Sequence, residues 1–316
     1  MTNKTIFPLI LINSINLSVV TPAQSINLGS HGPHRDWINL FLMPYFTLIV
    51  TEWSVTTEKG YCATDSAGKQ AYAQTVIERD ELKKFFDEYN HEGCFILYDL
   101  KKDEYVKYNS ERCSERFIPA STFKIFNSLA ALEAGVIKDE NEIIKWDRVE
   151  RFIQSWNQDL NLAQAFKFSA VCFFQELARR IGEEKMKEYI TANHYGNEDI
   201  SGGIDLFWLE GGLRISPDEQ IEFLKKIYND ETIFSQSSVD ILKKIMIYEE
   251  SDEYILRAKT GWGMRFEKQV GWFVGYVEKG DDVYFFATNL ETKNPDEGFR
   301  SRIEISYRIL RELGVI

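Results

Sequence analysis

The sequence predicts an α+β fold: one antiparallel sheet built from strands near both ends of the chain, flanked by helices, with a mostly helical insertion. Three observations carry that expectation. Strand-like runs stand near residue 100, a long helical middle follows, and three strand patterns come in succession before a closing helix.

The first runs are GCFILYDL (93–100) and EYVKYN (104–109), split by KKD, which reads as a hairpin. In the middle, VCFFQELARRIG keeps Phe174, Leu177, Ala178 and Ile181 at helical spacing, and Gly182 supplies the stop. PDEQIEFLKKIY starts at Pro217 and sets Ile221, Leu224 and Ile227 on one face. YILRAKTG, VGWFVGYVEK and DVYFFATNLE read as the late strands, the last two joined by GDD. Ile303, Tyr307, Leu310 and Leu313 mark the closing amphipathic helix. A ligand site is expected in the cleft between sheet and insertion.

Bulk properties exclude several classes. The 316 residues fit one large domain or two small ones, and 44% hydrophobic with 27% charged residues describes a globular chain. A net charge of −12 argues against nucleic acid and against a basic membrane-surface module. Cys62, Cys94, Cys113 and Cys172 match neither a zinc pattern nor a redox CxxC. Cys172 falls in an apolar helical pattern and is expected to be buried. Whether Cys94 and Cys113 pair is left open. His31 and His34 lack a third ligand, so no metal is expected.

Residues 1 to about 70 are set apart. TIFPLILINSINLSVV precedes TPAQS, and a second apolar run spans 37–50; neither reaches the ~20 residues of a spanning helix. One of them reads as a secretory signal, which makes the protein exported, periplasmic or extracellular; an over-extended N-terminus is the alternative. Such a leader is the one expected link to a membrane. Residues 71–316 then form a single catalytic domain.

The chemistry centres on FIPASTFKIF (117–126), where Ser121 and Lys124 stand three apart behind Pro119. At a helix start that spacing puts both side chains on one face, and the helix end offers backbone donors to an oxyanion. Alone the motif is weak, because S-x-x-K arises about once per chain of this length by chance. SAGK at Ser66 to Lys69 also fits it, in a polar, glycine-containing stretch. The second element is KTG, Lys259 to Gly261, on a strand pattern and followed by Trp262. Its lysine and threonine can hold an anionic group, and its glycine permits close backbone approach.

S-x-x-K with a late K-T-G is the signature of penicillin-recognising acyl-serine enzymes. The serine-aspartate-asparagine motif of class A β-lactamases is not found; SAV, Ser169 to Val171, stands between the two anchors instead. FIPASTFKI, SAV, YGN (Tyr195 to Asn197), FWLEGGLRIS (Phe207 to Ser216), KTG and VGWFVGYVE resemble, in order, a class D β-lactamase. The resemblance covers about residues 90 to 316 and implies the β-lactamase/transpeptidase-like fold.

It also implies roles. Ser121, Lys124, Ser169 and Lys259 are the catalytic set, and the substrates are small β-lactams, with no nucleic acid as partner. Carbon dioxide, taken up by Lys124 as a carbamate, is the only cofactor-like group; the family uses it as general base. Burial favours the neutral amine that uptake requires, since an exposed lysine has a pKa of about 10.4. Val171 would wall the lysine and Trp208 would donate its indole N–H to the carbamate. Backbone N–H groups of Ser121 and Trp262 would hold the oxyanion. Thr260, Gly261, Trp262 and Arg300 would hold the substrate, with Arg302 close enough to compete with Arg300 for the carboxylate. Tyr195 and Asn197 read simply as a turn. Two alternatives share the serine and lysine: a β-lactam-sensing receptor domain acylated without turnover, and a peptidoglycan transpeptidase. Substrate preference is left to loops around Trp156, Trp262 and Arg214.

Overall fold

The computed structural model describes residues 74–264, 269–293 and 295–316, with strand fragments at 20–21, 24–25, 61–64 and 70–72. Residues 1–55 and 56–316 are two compact units; of the first, only the antiparallel pair Val20–Thr21 and Gln24–Ser25 is described. HGPH, the run at 37–50 and the SAGK motif lie outside the described residues, as does nearly all of the first apolar run.

The main sheet has seven strands among the described residues: β1 (Thr75–Glu78), β2 (Glu92–Asp99), β3 (Glu104–Tyr108), β4 (Ile247–Glu250), β5 (Ile255–Gly263), β6 (Gln269–Lys279) and β7 (Asp282–Thr292). Their order is β4-β5-β6-β7-β2-β3-β1. The predicted hairpin and the three late strands are all present, and β7 lies against β2 with Ala287 opposite Ile96. Every neighbouring pair is antiparallel except the short edge strand β1, which runs parallel to β3.

Both faces of the sheet are covered, so the central strands read as continuous apolar runs instead of alternating ones. Ile96, Val274 and Ala287 face the helical insertion, while Phe95, Phe273 and Phe286 face the helices at the two ends of the domain. Lys259 is in register with Val274, which turns it toward the insertion.

Local signals place the helices. α1 (Lys83–Asp87) and α9 (Pro295–Glu312) cover one face. The other face carries α2 (Ser110–Ser114), α3 (Lys124–Glu133), α4 (Leu162–Lys167), α5 (Val171–Ile181), α6 (Glu183–Ala192), α7 (Pro217–Tyr228) and α8 (Gln236–Ile245). α7 opens with Pro217 and a reciprocal cap: Glu219 N–H donates to Ser216 Oγ at 3.1 Å, and Ser216 N–H donates to Glu219 Oε2 at 2.9 Å. α5 stops at Gly182, whose φ of +83° suits glycine.

The closing helix is present, and the four residues that mark it all pack on the apolar cluster of the face it covers: Leu310 is fully buried and Ile303, Tyr307 and Leu313 partly so, with Ile305 and Ile309 buried beside them. One expectation needs correction. Cys172 is half-buried, because the first turn of α5 points Phe173 and Phe174 inward in its place. Cys94 and Cys113 lie side by side in the core as free thiols.

Candidate active site

The nucleophile candidate sits on a 3₁₀ turn, Ala120–Phe123, that runs directly into α3. The turn is pinned from three sides. Thr122 Oγ1 donates to the Pro119 carbonyl at 2.8 Å, and buried Gln220 of α7 donates to Thr122 Oγ1 at 2.9 Å. Ala120 holds a left-handed φ of +48°, with its N–H on the Trp208 carbonyl at 3.1 Å. A non-glycine residue there costs about 1–3 kcal/mol, which the surrounding packing must offset.

One helical turn brings Lys124 Nζ to 2.7 Å from Ser121 Oγ. Lys124 has no exposed surface. Burial first, and the charge of Lys259 second, hold its amine well below the usual lysine range, against a weak opposing influence of Cys172. The Phe174 ring lies 5.4 Å from Nζ, and half-buried Val171 begins the helix that carries it.

Trp208 completes the wall. Its ring stacks on Phe123 at 5.2 Å, and its indole Nε1 is buried without a hydrogen-bond partner among the described residues. Leaving such a donor unpaired costs about 1–3 kcal/mol, so the site is short of one acceptor. Tyr195, Gly196 and Asn197 hold the loop that bears it. A Cβ on Gly196 would stand 2.1 Å from the Arg214 carbonyl oxygen. Asn197 donates to the Gly212 carbonyl at 2.9 Å and accepts from the Arg214 N–H at 2.8 Å. The turn expected at YGN is thus a clamp on FWLEGGLRIS, and Arg214 spends its guanidinium on the Gly211 and Leu213 carbonyls.

On β5, Lys259 Nζ lies 3.0 Å from Ser169 Oγ and 3.0 Å from the Thr260 carbonyl oxygen. Burial, then the Arg302 charge, brings its amine down to about 7. Ser169 is the second strained residue here, at φ +53°, directly ahead of α5. Gly261 lets β5 abut the 3₁₀ turn: a Cβ there would meet Thr122 Cγ2 at 2.9 Å, the Pro119 carbonyl at 3.0 Å and Trp272 Cβ at 3.1 Å. Gly261→Val is therefore expected to lower thermal stability by about 1–3 kcal/mol in a melting experiment, through overpacking. Turnover should fall with it, as strand and turn are forced apart.

Trp262 stacks on Phe299 at 4.4 Å, and Trp156 donates to the Phe168 carbonyl at 3.0 Å. The two arginines of α9 considered for the carboxylate differ: Arg300 is exposed, whereas Arg302 is buried. Two rings beneath the lysines, Phe174 and Phe166, belong to the site and were read from sequence only as helix packing or not at all.

Known proteins are similar to this chain in sequence and fold. The penicillin binding protein transpeptidase domain family matches residues 86–311. Beta-lactamase OXA-48 of Klebsiella pneumoniae is 44% identical over 249 residues, 79% of this chain and 94% of that protein. The chain belongs to the class D β-lactamase family. Within it, the solved class D YbXI structure from Nostoc superposes with a TM-score of 0.73 at 45% identity, covering 75% of this chain and all of that one. The family fold also serves a receptor: the C-terminal domain of the Bacillus licheniformis BlaR penicillin-receptor superposes at TM-score 0.73 with 38% identity, over 77% of this chain and 98% of that one.

Proposed function

We propose that this chain hydrolyses the β-lactam amide bond of penicillin-type antibiotics through an acyl-enzyme on Ser121. The observation that carries the reading is the 2.7 Å contact between Ser121 Oγ and a fully buried Lys124. A lysine kept uncharged beside a hydroxyl can take its proton at neutral pH; a charged one cannot.

Ser121 Oγ attacks the lactam carbonyl while Lys124 receives its proton. The backbone N–H groups of Ser121 and Trp262 stabilise the oxyanion. The C–N bond breaks, and Ser169 with Lys259 delivers a proton to the leaving nitrogen; an amine near neutral pKa can give and regain it. The proton held by Lys124 then passes to Lys259, which restores both amines; water attacks the ester, the bond to Ser121 Oγ breaks, and Lys124 relays the water's proton to that oxygen. Thr260 and Arg300 hold the substrate carboxylate, and Gly261 permits its close approach.

The site also fits a carbamate on Lys124. Uptake of carbon dioxide needs the neutral amine that burial favours, and the unpaired Trp208 Nε1 is a donor in want of an acceptor. Val171 and Phe174 would wall it, Trp208 would bond it, and it would supply an anionic general base for both half-reactions. Export is part of the same proposal and rests on the leader-like N-terminal sequence; no helix among the described residues is long and apolar enough to cross a membrane.

The likeness to the BlaR receptor domain favours a second reading, a sensor acylated without release. Val171, at the position where the hydrolase pattern is apolar, and the unpaired indole support the enzyme. Nitrocefin separates the two: the enzyme should turn over many equivalents per molecule. Intact-mass spectrometry with a penicillin should show a short-lived adduct on Ser121. One stoichiometric burst with a lasting adduct would establish the sensor.

A further inference from the structure

Two thiols in the core are left unused by the steps above. Cys94 on β2 and Cys113 on α2 have no exposed surface and belong to one apolar cluster. The Cys113 Sγ lies 3.7 Å from the Phe95 and Tyr108 carbonyl oxygens, with the Cys94 thiol as its other partner.

Local signals bring the pair together. β3 ends at Tyr108, and Asn109 takes a left-handed φ of +59° that turns the chain back across the hairpin. Its Oδ1 caps α2 by accepting from the Arg112 N–H at 3.2 Å, and its Nδ2 donates to the Gly93 carbonyl at 3.1 Å. Arg112 ties α2 to β7, donating from Nη2 to Asn289 Oδ1 at 2.6 Å. Asn289 lies opposite Cys94 in the sheet, so α2 is anchored on both neighbours of that cysteine. Packing alone does not call for thiols here, because a free cysteine packs as a small apolar side chain. Metal binding does not call for them either: among the described residues no group of three histidine, cysteine or acidic side chains could hold an ion. What two touching thiols add is the capacity to give up two electrons together.

We propose that Cys94 and Cys113 close to a disulfide as the chain folds in an oxidising compartment, stapling α2 to β2 upstream of the Ser121 turn. The compartment rests on the export reading above, and the oxidant is a low-molecular-weight or protein disulfide, RSSR. One cysteine thiolate attacks RSSR and releases one thiolate. The other cysteine then attacks the protein sulfur of the mixed disulfide and releases the second. Two protein thiols lose two electrons and two protons, and RSSR becomes two RSH. Burial sets the timing. In the finished fold the Cys94 neighbour first, and burial second, push the Cys113 thiol up, so it stays protonated and out of an oxidant's reach. The bond therefore forms before α2 settles on β2. Once made, it restricts the unfolded chain over residues 94–113.

The test reduces and denatures the protein, refolds it with or without oxidised glutathione, alkylates it and cuts it with trypsin. Lys101, Lys102, Lys107 and Arg112 lie between the two cysteines, so the bond appears as peptide 85–101 linked to peptide 113–116. That linked pair should dominate after refolding with oxidised glutathione. It should form about tenfold more slowly, or worse, when the reduced protein is already folded. The cross-linked protein should melt about 5–10 °C above the dithiol form, and Cys113→Ala should abolish the gain. Cys94→Ala serves if Cys113→Ala does not fold, and protein secreted by an expression host is mapped instead if refolding fails. Both cysteines alkylated after oxidative folding, or linked to Cys62 or Cys172 in place of each other, overturns the proposal, as does closure equally fast in the folded protein. Free thiols in protein taken from its own host, with the linked pair formed in vitro, sinks the export reading and leaves the chemistry of the pair standing.

Discussion

Lys124→Ala should abolish nitrocefin turnover, with a loss of about 10⁴-fold or more. The size follows from the geometry. No histidine or carboxylate among the described residues is bonded to Ser121, and Lys124 Nζ, 2.7 Å from Oγ, is within reach of its proton. A variant retaining near-native rates would refute the base assignment. Stability should move the other way. The folded chain holds the Lys124 amine below the unfolded value of about 10.4, so it binds fewer protons than the unfolded chain between those limits. That difference works against folding as pH falls through the window, and its full cost is present below the folded value. Lys124→Met keeps the length and removes the titration. At pH 7 in bicarbonate-free buffer it should melt higher, by an increment on the order of 1–2 kcal/mol. A lower melting temperature would show that the lysine is not held neutral.

Trp208→Phe should cut turnover about 10–100-fold, the range seen when an outer hydrogen-bond partner of a reactive group is lost. The aromatic contact with Phe123, at 5.2 Å, can persist, so the change isolates the indole N–H. Added bicarbonate should restore part of the activity. A carbon-13 resonance from labelled carbon dioxide, present in the wild type, should weaken in the variant. Normal activity together with no response to bicarbonate would remove Trp208 from the role proposed for it.

The short motifs were legible because their chemistry is local. Ser121 and Lys124 are one helical turn apart, Lys259 to Gly261 are contiguous, and Pro217 and Gly182 act on their own backbone. The hairpin and the three late strands follow from runs of apolar residues bounded by polar turns. What was hidden depends on partners distant in sequence. Sequence leaves Arg302 as a rival of Arg300, and only its seat beside Trp262 reveals which of the two is buried. Asn197 reads as a turn residue until its bonds to Gly212 and Arg214 are seen. Cys172 belongs to an apolar pattern, yet helix rotation decides which of its neighbours turns inward.

The pairing of β7 with β2 has a bearing on how the protein comes to exist. β2 begins at residue 92, while its partner spans 282–292, so the middle of the sheet is a late arrival during synthesis. Lys259 faces the insertion only on a strand anchored next to that partner. A nascent chain short of its last few dozen residues therefore has no closed sheet and no working centre. Contacts of such long sequence separation form slowly. That delay is compatible with the export proposed above, in which the chain crosses a membrane before it folds.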